Sequence, residues 1–275
     1  MSSKYIFLDI DGTLVDYDAK MPSSALKAVK QARANGHKVF IASGRSCSMI
    51  YPELLEDNLF DGYIAAGGAY VSCGSEIIFQ SFIEGKSLLN LVNYFRAWGI
   101  KGIAHRADGI YCEREFIDIV IPEMLRTGYS EDLIKKSYGR IVVIDDLSEL
   151  KGIEKFSFYM APKTTKQIFD DLGGEFYVVD FSVGDVKSDT FFGEINMSNV
   201  NKATAIDAVI KHFSVSVSDT IAFGDSRNDL EMIEFAAIGV AMGNATEIIK
   251  KAADFVTTNV SNDGIYNAFS KLGLI

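Results

Sequence analysis

The sequence predicts an α/β protein: a Rossmann-like, doubly wound parallel sheet that carries an inserted α+β domain. Three observations predict it. Short apolar runs alternate with amphipathic segments near both ends of the chain, the texture changes between those ends, and acidic motifs fall directly after apolar runs. Strand–helix alternation of this kind requires parallel strands joined by helical crossovers.

Taken in order, residues 5–8 read as a buried strand and 22–35 as a helix. Pro22 stands near the helix start, Leu26 and Val29 share one face, and Gly36 is a stop signal. A second strand is expected at 38–42, a second helix at 46–59 and a third strand at 63–66. The rhythm returns with a helix at 202–213, a strand at 220–223, a helix at 228–236 and a strand at 238–241. A helix from 246, a short strand at 255–257 and a last helix from 264 complete it. Residues 1–82 and 195–275 are therefore expected to form one open α/β unit. Between them, 83–194 groups its elements: a helix at 87–98, strands near 100–105 and 110–113, and two further helices. An apolar run at 155–160, a helix at 164–172 and a strand at 175–180 follow. Such grouping suits an α+β insert.

The 275 residues suit about two domains, and 48% apolar with 23% charged residues allows a sizeable core. A formal net charge of -10 repels nucleic-acid backbones and anionic membranes, although a bound cation reverses the local field for a small anionic substrate. Cys47, Cys73 and Cys112 form no C-x-x-C pair, which argues against a disulfide scaffold and a zinc site and fits a reducing compartment. The first apolar run is broken at once by Asp9 and Asp11, unlike a signal peptide, and no run approaches the ~18 residues that span a bilayer. A cytoplasmic location is expected, where the Asn-x-Ser/Thr triplet at Asn244 meets no glycosylation enzyme. No obligate protein partner is evident.

Four features carry chemistry. The first is Asp9-Ile10-Asp11-Gly12-Thr13-Leu14, which follows the strand at 5–8. Open α/β sheets bind ligands beyond the carboxyl ends of their strands, so this run delivers two carboxylates to the binding edge. One carboxylate could attack phosphorus while the other handles the proton of the leaving oxygen. An EF-hand loop fails here, because Leu14 stands at the sixth position and Lys20 at the twelfth. An Asp–Gly surface turn remains the plain alternative. The second feature, Ser43-Gly44-Arg45, follows the strand at 38–42, and reads as a phosphate-holding helix start or as an ordinary cap. The third is Lys202, which opposes the dipole at a helix N-terminus or is simply a solvated lysine. The fourth, Gly224-Asp225-Ser226-Arg227-Asn228-Asp229, supplies further carboxylates for a hard cation such as Mg²⁺, or is a capped turn.

Together these residues resemble the haloacid dehalogenase superfamily of phosphohydrolases, in the Cof-like branch with a large C2-type cap inserted after the third core strand. The resemblance covers essentially the whole chain. It implies a Mg²⁺-dependent phosphatase for small phosphorylated metabolites such as sugar phosphates, with 1–82 and 195–275 as catalytic core and 83–194 as cap. Asp9 would be the nucleophile, and Asp11 the general acid and then base, with a raised pKa. Mg²⁺ would be held by the Asp9 carboxylate, the Asp11 backbone carbonyl and Asp225. Ser43, Lys202 and Asn228 would bind the phosphoryl group with backbone N–H groups at Gly12 and Gly44, and Asp229 would orient Lys202 or a water on the metal. One departure is Gly67-Gly68-Ala69, where the branch often carries Asn-Gly-Ala.

In the cap, His105, Arg106, Arg114 and Lys187 are candidates for substrate contact, although a solvated surface side chain is the favoured reading of any single one. Trp98, at helical spacing from Tyr94 and Phe95, reads as cap core. The nearest rival function is a phosphomutase of the phosphomannomutase-like type. A phospho-acceptor signalling module or a catalytically silent binding protein would fit less of the pattern.

Overall fold

The computed structural model of the chain describes residues 3–16, 18–55, 58–138, 140–180 and 190–275. Contacts divide it into two compact units. One comprises Met1–Gly44, Tyr51–Gln80 and Asn201–Ile275; the other comprises Arg45–Ile50 and Ser81–Val200.

The first unit is built on an eight-stranded sheet. From edge to edge its strands are Phe255–Val256, Ile238–Ala241, Thr220–Gly224, Tyr5–Leu8, Lys38–Ala42, Gly62–Ala65, Tyr70–Cys73 and Glu76–Gln80. Neighbours are parallel from Phe255–Val256 through Gly62–Ala65, and the last two strands pair antiparallel. Tyr5–Leu8 is buried throughout, as a central strand with both faces covered must be. Helices Ser23–Ala34 and Gly264–Lys271 pack on each other, and Phe7 stacks on Phe40 with ring centroids 5.3 Å apart. The single helix expected at 46–59 is absent. A 3₁₀ turn at Cys47–Met49 and one helical turn at Pro52–Leu55 stand in its place, because a proline biases the preceding residue away from the helical region.

The second unit is a six-stranded sheet in the order Phe176–Asp180, Phe191–Met197, Lys155–Ala161, Lys101–Arg106, Gly109–Glu113 and Ile141–Ile144. Phe156 and Phe158 point into a cluster with Leu88, Leu91, Val92 and Phe95 from helix Gly85–Trp98. The opposite face alternates with it: Lys155 and Ser157 are buried there, opposite His105 and Ile103 of the adjacent strand. Segment Arg45–Ile50 belongs to this unit. Met49 packs on the cluster of Ile103, Ile110 and Phe116, and the Ser48 hydroxyl donates to the Arg106 carbonyl at 3.3 Å. Among the described residues no helix is long and apolar enough to cross a membrane.

Candidate active site

Tyr5–Leu8 lies between Thr220–Gly224 and Lys38–Ala42, all three parallel, so Asp9, Asp225 and Ser43 leave the sheet at one edge. Asp9 is almost fully buried, and its N–H donates to the Phe223 carbonyl at 3.1 Å. The chain turns at Gly12, where φ is +80°, and a Cβ there would stand 2.4 Å from Asp225 Oδ2. Only glycine permits that conformation with so close an approach. Thr13 Oγ1 donates to Asp225 Oδ1 at 3.3 Å. From another strand end, Asn244 Nδ2 donates to the Gly12 carbonyl at 2.7 Å, while its Oδ1 accepts the Val260 N–H at 2.9 Å.

Lys202 opens helix Lys202–His212, whose N-terminus is closed by Asn201 and Thr204 in a reciprocal capping box. A cation in the first turn opposes the helix dipole, so this one needs compensation. Two carboxylates supply it: Lys202 Nζ donates to Asp9 Oδ1 and to Asp229 Oδ1, each at 2.6 Å, and is 1% exposed. Asp229 Oδ2 accepts the backbone N–H of Asp225 at 2.9 Å and of Ser226 at 3.0 Å. One fully buried carboxylate thus fixes both the lysine and the turn that presents Asp225. The turn can fold so tightly because Gly224 has no side chain: a Cβ there would lie 2.5 Å from the Asp229 Cβ.

The electrostatics are unbalanced. Carboxylate oxygens of Asp9, Asp225 and Asp229 all lie within 4.8 Å of one another. Burial pushes the Asp9 carboxyl well above the usual range, with Asp229, Asp225 and Asp11 adding to the shift and Lys202 opposing it. Burial, then Asp229, pushes Asp225 up to about 7. Burial alone would weaken the Lys202 ammonium, but Asp229 and Asp9 outweigh it and raise its pKa. Three buried carboxylates around one ammonium leave negative charge that these side chains do not neutralise, and such charge is costly to bury. A donor set made only of oxygens suits a hard divalent cation such as Mg²⁺. Asp229 is already engaged by Lys202 and two N–H groups, which leaves Asp9 and Asp225 as the carboxylates fitted to hold an ion.

The other expected residues of this unit are near the same edge. Asp11 is exposed, and its Oδ1 accepts the Tyr51 hydroxyl at 3.1 Å. Ser43 is buried, its N–H donating to the Ile64 carbonyl at 2.8 Å and its carbonyl accepting the Gly67 N–H at 3.0 Å; Gly44 follows it. Asn228 is half-buried in the Arg227–Asp229 turn and accepts the Ser226 hydroxyl at 2.7 Å.

In the second unit the expected residues are dispersed. His105 is no solvated side chain. It is 4% exposed, its Nε2 bonds the Ser157 hydroxyl at 2.8 Å, and its buried Nδ1 has no hydrogen-bond partner among the described residues. Burial, with Lys155 adding to it, holds the imidazole pKa well below its ordinary value. Arg106 pairs with Asp108 at 2.8 Å and lies 5.2 Å from the Tyr111 ring centroid. Arg114 is exposed, and Lys187 lies outside the described residues. Trp98 is not core as expected: it is 45% exposed at the last turn of its helix, and the Lys163 ammonium sits 3.4 Å from its ring centroid. The core face of that helix stops at Phe95.

Sequence reasoning overlooked Thr13, Asn244 and Tyr51. Thr13 stood inside the first motif, and Asn244 follows the strand Ile238–Ala241 as the other site residues follow theirs. Tyr51 carried no such signal.

Comparison with known proteins identifies the family. A family model for haloacid dehalogenase-like hydrolases matches residues 6–269. Over the full length of both chains, the protein is 30% identical to "Putative phosphatase YkrA" of Bacillus subtilis (strain 168). It is 26% identical, across 96% of this chain and 94% of the other, to the 5-amino-6-(5-phospho-D-ribitylamino)uracil phosphatase YcsE of the same organism. Among solved structures, a HAD subclass IIB sugar phosphatase shares 30% identity at a TM-score of 0.81, covering 99% of this chain and 100% of that one. The chain belongs to the haloacid dehalogenase-like hydrolases, in their Cof-like branch, and is a phosphatase.

Proposed function

We propose that this phosphatase is Mg²⁺-dependent and hydrolyses small phosphate monoesters, sugar phosphates or similar metabolites, through an aspartyl-phosphate on Asp9. The observation that supports it most is Lys202, buried between Asp9 and Asp229 at 2.6 Å from each, beside Asp225. A lysine so placed holds the nucleophile in one orientation and offsets the repulsion between carboxylate and phosphate.

In this reading an Asp9 carboxylate oxygen attacks phosphorus, the ester P–O bond breaks, and Asp11 gives its proton to the leaving oxygen. Water then attacks the phosphorus of the aspartyl-phosphate, Asp11 takes a proton from that water, and the Asp9 carboxylate is restored as inorganic phosphate leaves. Ser43, Asn228 and the N–H groups of Gly12 and Gly44 bind the phosphoryl oxygens, and Asp229 keeps Lys202 in place. Asp9, Asp225 and the Asp11 carbonyl would hold Mg²⁺, which when bound supplies charge neutralisation for the phosphoryl group in flight. The second unit acts as the cap that selects the leaving group, with His105, Arg106, Arg114 and Lys187 as its candidate contacts. A cytoplasmic site of action belongs to the same reading.

Sugar phosphatase and ribitylaminouracil phosphatase are the activities named for two of the relatives, and both favour hydrolysis over the phosphomutase alternative. The test is direct. Purified protein with Mg²⁺ should release inorganic phosphate from members of a panel of phosphorylated sugars, polyols and nucleotides. EDTA should remove that activity and Mg²⁺ restore it, and Asp9→Asn should abolish it. Wild-type turnover by Asp9→Asn would refute the covalent scheme.

A further inference from the structure

An exposed carboxyl that must transfer a proton faces a geometric problem. Its two torsions turn freely in water, yet the proton must reach one ester oxygen. Asp11 is exposed at the site edge, and among its contacts the Tyr51 hydroxyl donates to its Oδ1 at 3.1 Å. We infer that Tyr51 is a positioning residue for Asp11, orienting the carboxyl for acid–base transfer; this rests on the proposed acid–base role of Asp11.

Both partners of this bond are anchored. Pro52 has a fixed φ and restricts the residue before it, so Tyr51 enters the helical turn Pro52–Leu55 with little backbone freedom. The Tyr51 carbonyl accepts the Leu54 N–H at 2.9 Å, Leu54 is buried, and the Leu54 carbonyl accepts the Tyr63 hydroxyl at 3.4 Å. On the other side, Asp11 forms a bridge with Val15, and the Gly12 N–H donates to the Val15 carbonyl at 2.9 Å. A donor fixed at Oδ1 favours the exchangeable proton on Oδ2. Tyr51 thereby favours presenting Oδ2 to the substrate. A hydrogen bond this exposed adds little to stability, so its expected use is orientation.

The dependence of rate on leaving group separates orientation from mere structure. A good leaving group departs without a proton, whereas a poor one needs the acid. For Tyr51→Phe we expect kcat/KM to fall about tenfold with phenyl phosphate and to stay within about twofold with 4-nitrophenyl phosphate, at an unchanged melting temperature. Equal losses on both esters, or no loss on either, would overturn the role of Tyr51. Asp11→Asn, measured beside it, should show the same selectivity in larger measure. If Asp11→Asn shows none, it is the acid–base reading of Asp11 that fails; if Asp11→Asn is selective and Tyr51→Phe is not, only the inference about Tyr51 falls.

Discussion

Each unit buries a lysine against carboxylates, and the two burials differ in kind. In the first unit Lys202 faces Asp9 and Asp229 with Asp225 close by, so negative charge exceeds positive. In the second, Lys155 pairs with Glu194, and the imidazole beside it is held in its neutral form. A balanced buried pair needs nothing further to be tolerable, although it stabilises no more than a well-packed apolar pair would. An unbalanced cluster raises carboxyl pKa values until something positive arrives. Excess charge, rather than buried charge as such, therefore distinguishes the proposed reaction centre from the Lys155–Glu194 pair of the second sheet.

The largest effect should come from the unbalanced side. Among the described residues Lys202 is the cation bonded to both Asp9 and Asp229, and Lys202→Met should lower kcat by about 10³ or more, the scale of losing one preorganised electrostatic group. Steady-state assays on a small phosphate ester would show it, and a loss under tenfold would remove Lys202 from the centre of the scheme. On the balanced side, Lys155→Met leaves the half-buried Glu194 without this partner and should cost up to about 3 kcal/mol in denaturant unfolding. The double variant Lys155→Met/Glu194→Leu should recover most of that loss. A double variant as unstable as the single one would mean that the pair is not simply balanced. A third expectation concerns pH. The folded-state pKa of Asp225, about 7, lies above its ordinary value of 3.8, so its contribution to stability is whole below about pH 4 and lost as pH rises through 7. A bound cation reverses that loss. The melting-temperature gain from added Mg²⁺ should therefore grow between pH 5 and pH 8, and a gain independent of pH would argue against Asp225 as a ligand. The smallest effect is expected for Arg114→Ala, an exposed residue, whose kinetics should change only if the leaving group reaches it.

The parallel core was legible because period and punctuation agreed: the buried strand Tyr5–Leu8 and the helix Ser23–Ala34 fall within a residue of where apolar pattern and proline placed them. The hairpin Tyr70–Cys73 and Glu76–Gln80 was not drawn, although Gly74 and Ser75 mark its turn, because its edge strand is largely exposed and lacks a clean apolar alternation. Phe191–Met197 escaped for a similar reason, its polar Glu194 being half-buried and its Asn196 buried on the layer that also holds Lys155. At the site, residues that follow a strand could be read directly. Tyr51 could not be, since it reaches Asp11 across forty positions through a turn whose course only the folded chain reveals.

Segment Arg45–Ile50 has a practical corollary. It packs with the second unit, yet its flanks are Gly44 and Tyr51 of the first. Splicing Gln80 to Asn201 to obtain a minimal core would strip Met49 of its apolar neighbours and Ser48 of its acceptor. Such a deletion would leave a sticky six-residue loop between Gly44 and Tyr51, so a trimmed protein that aggregates or loses activity would say nothing about whether the removed unit handles substrate. Redesigning that loop with polar residues is the prerequisite for any informative truncation.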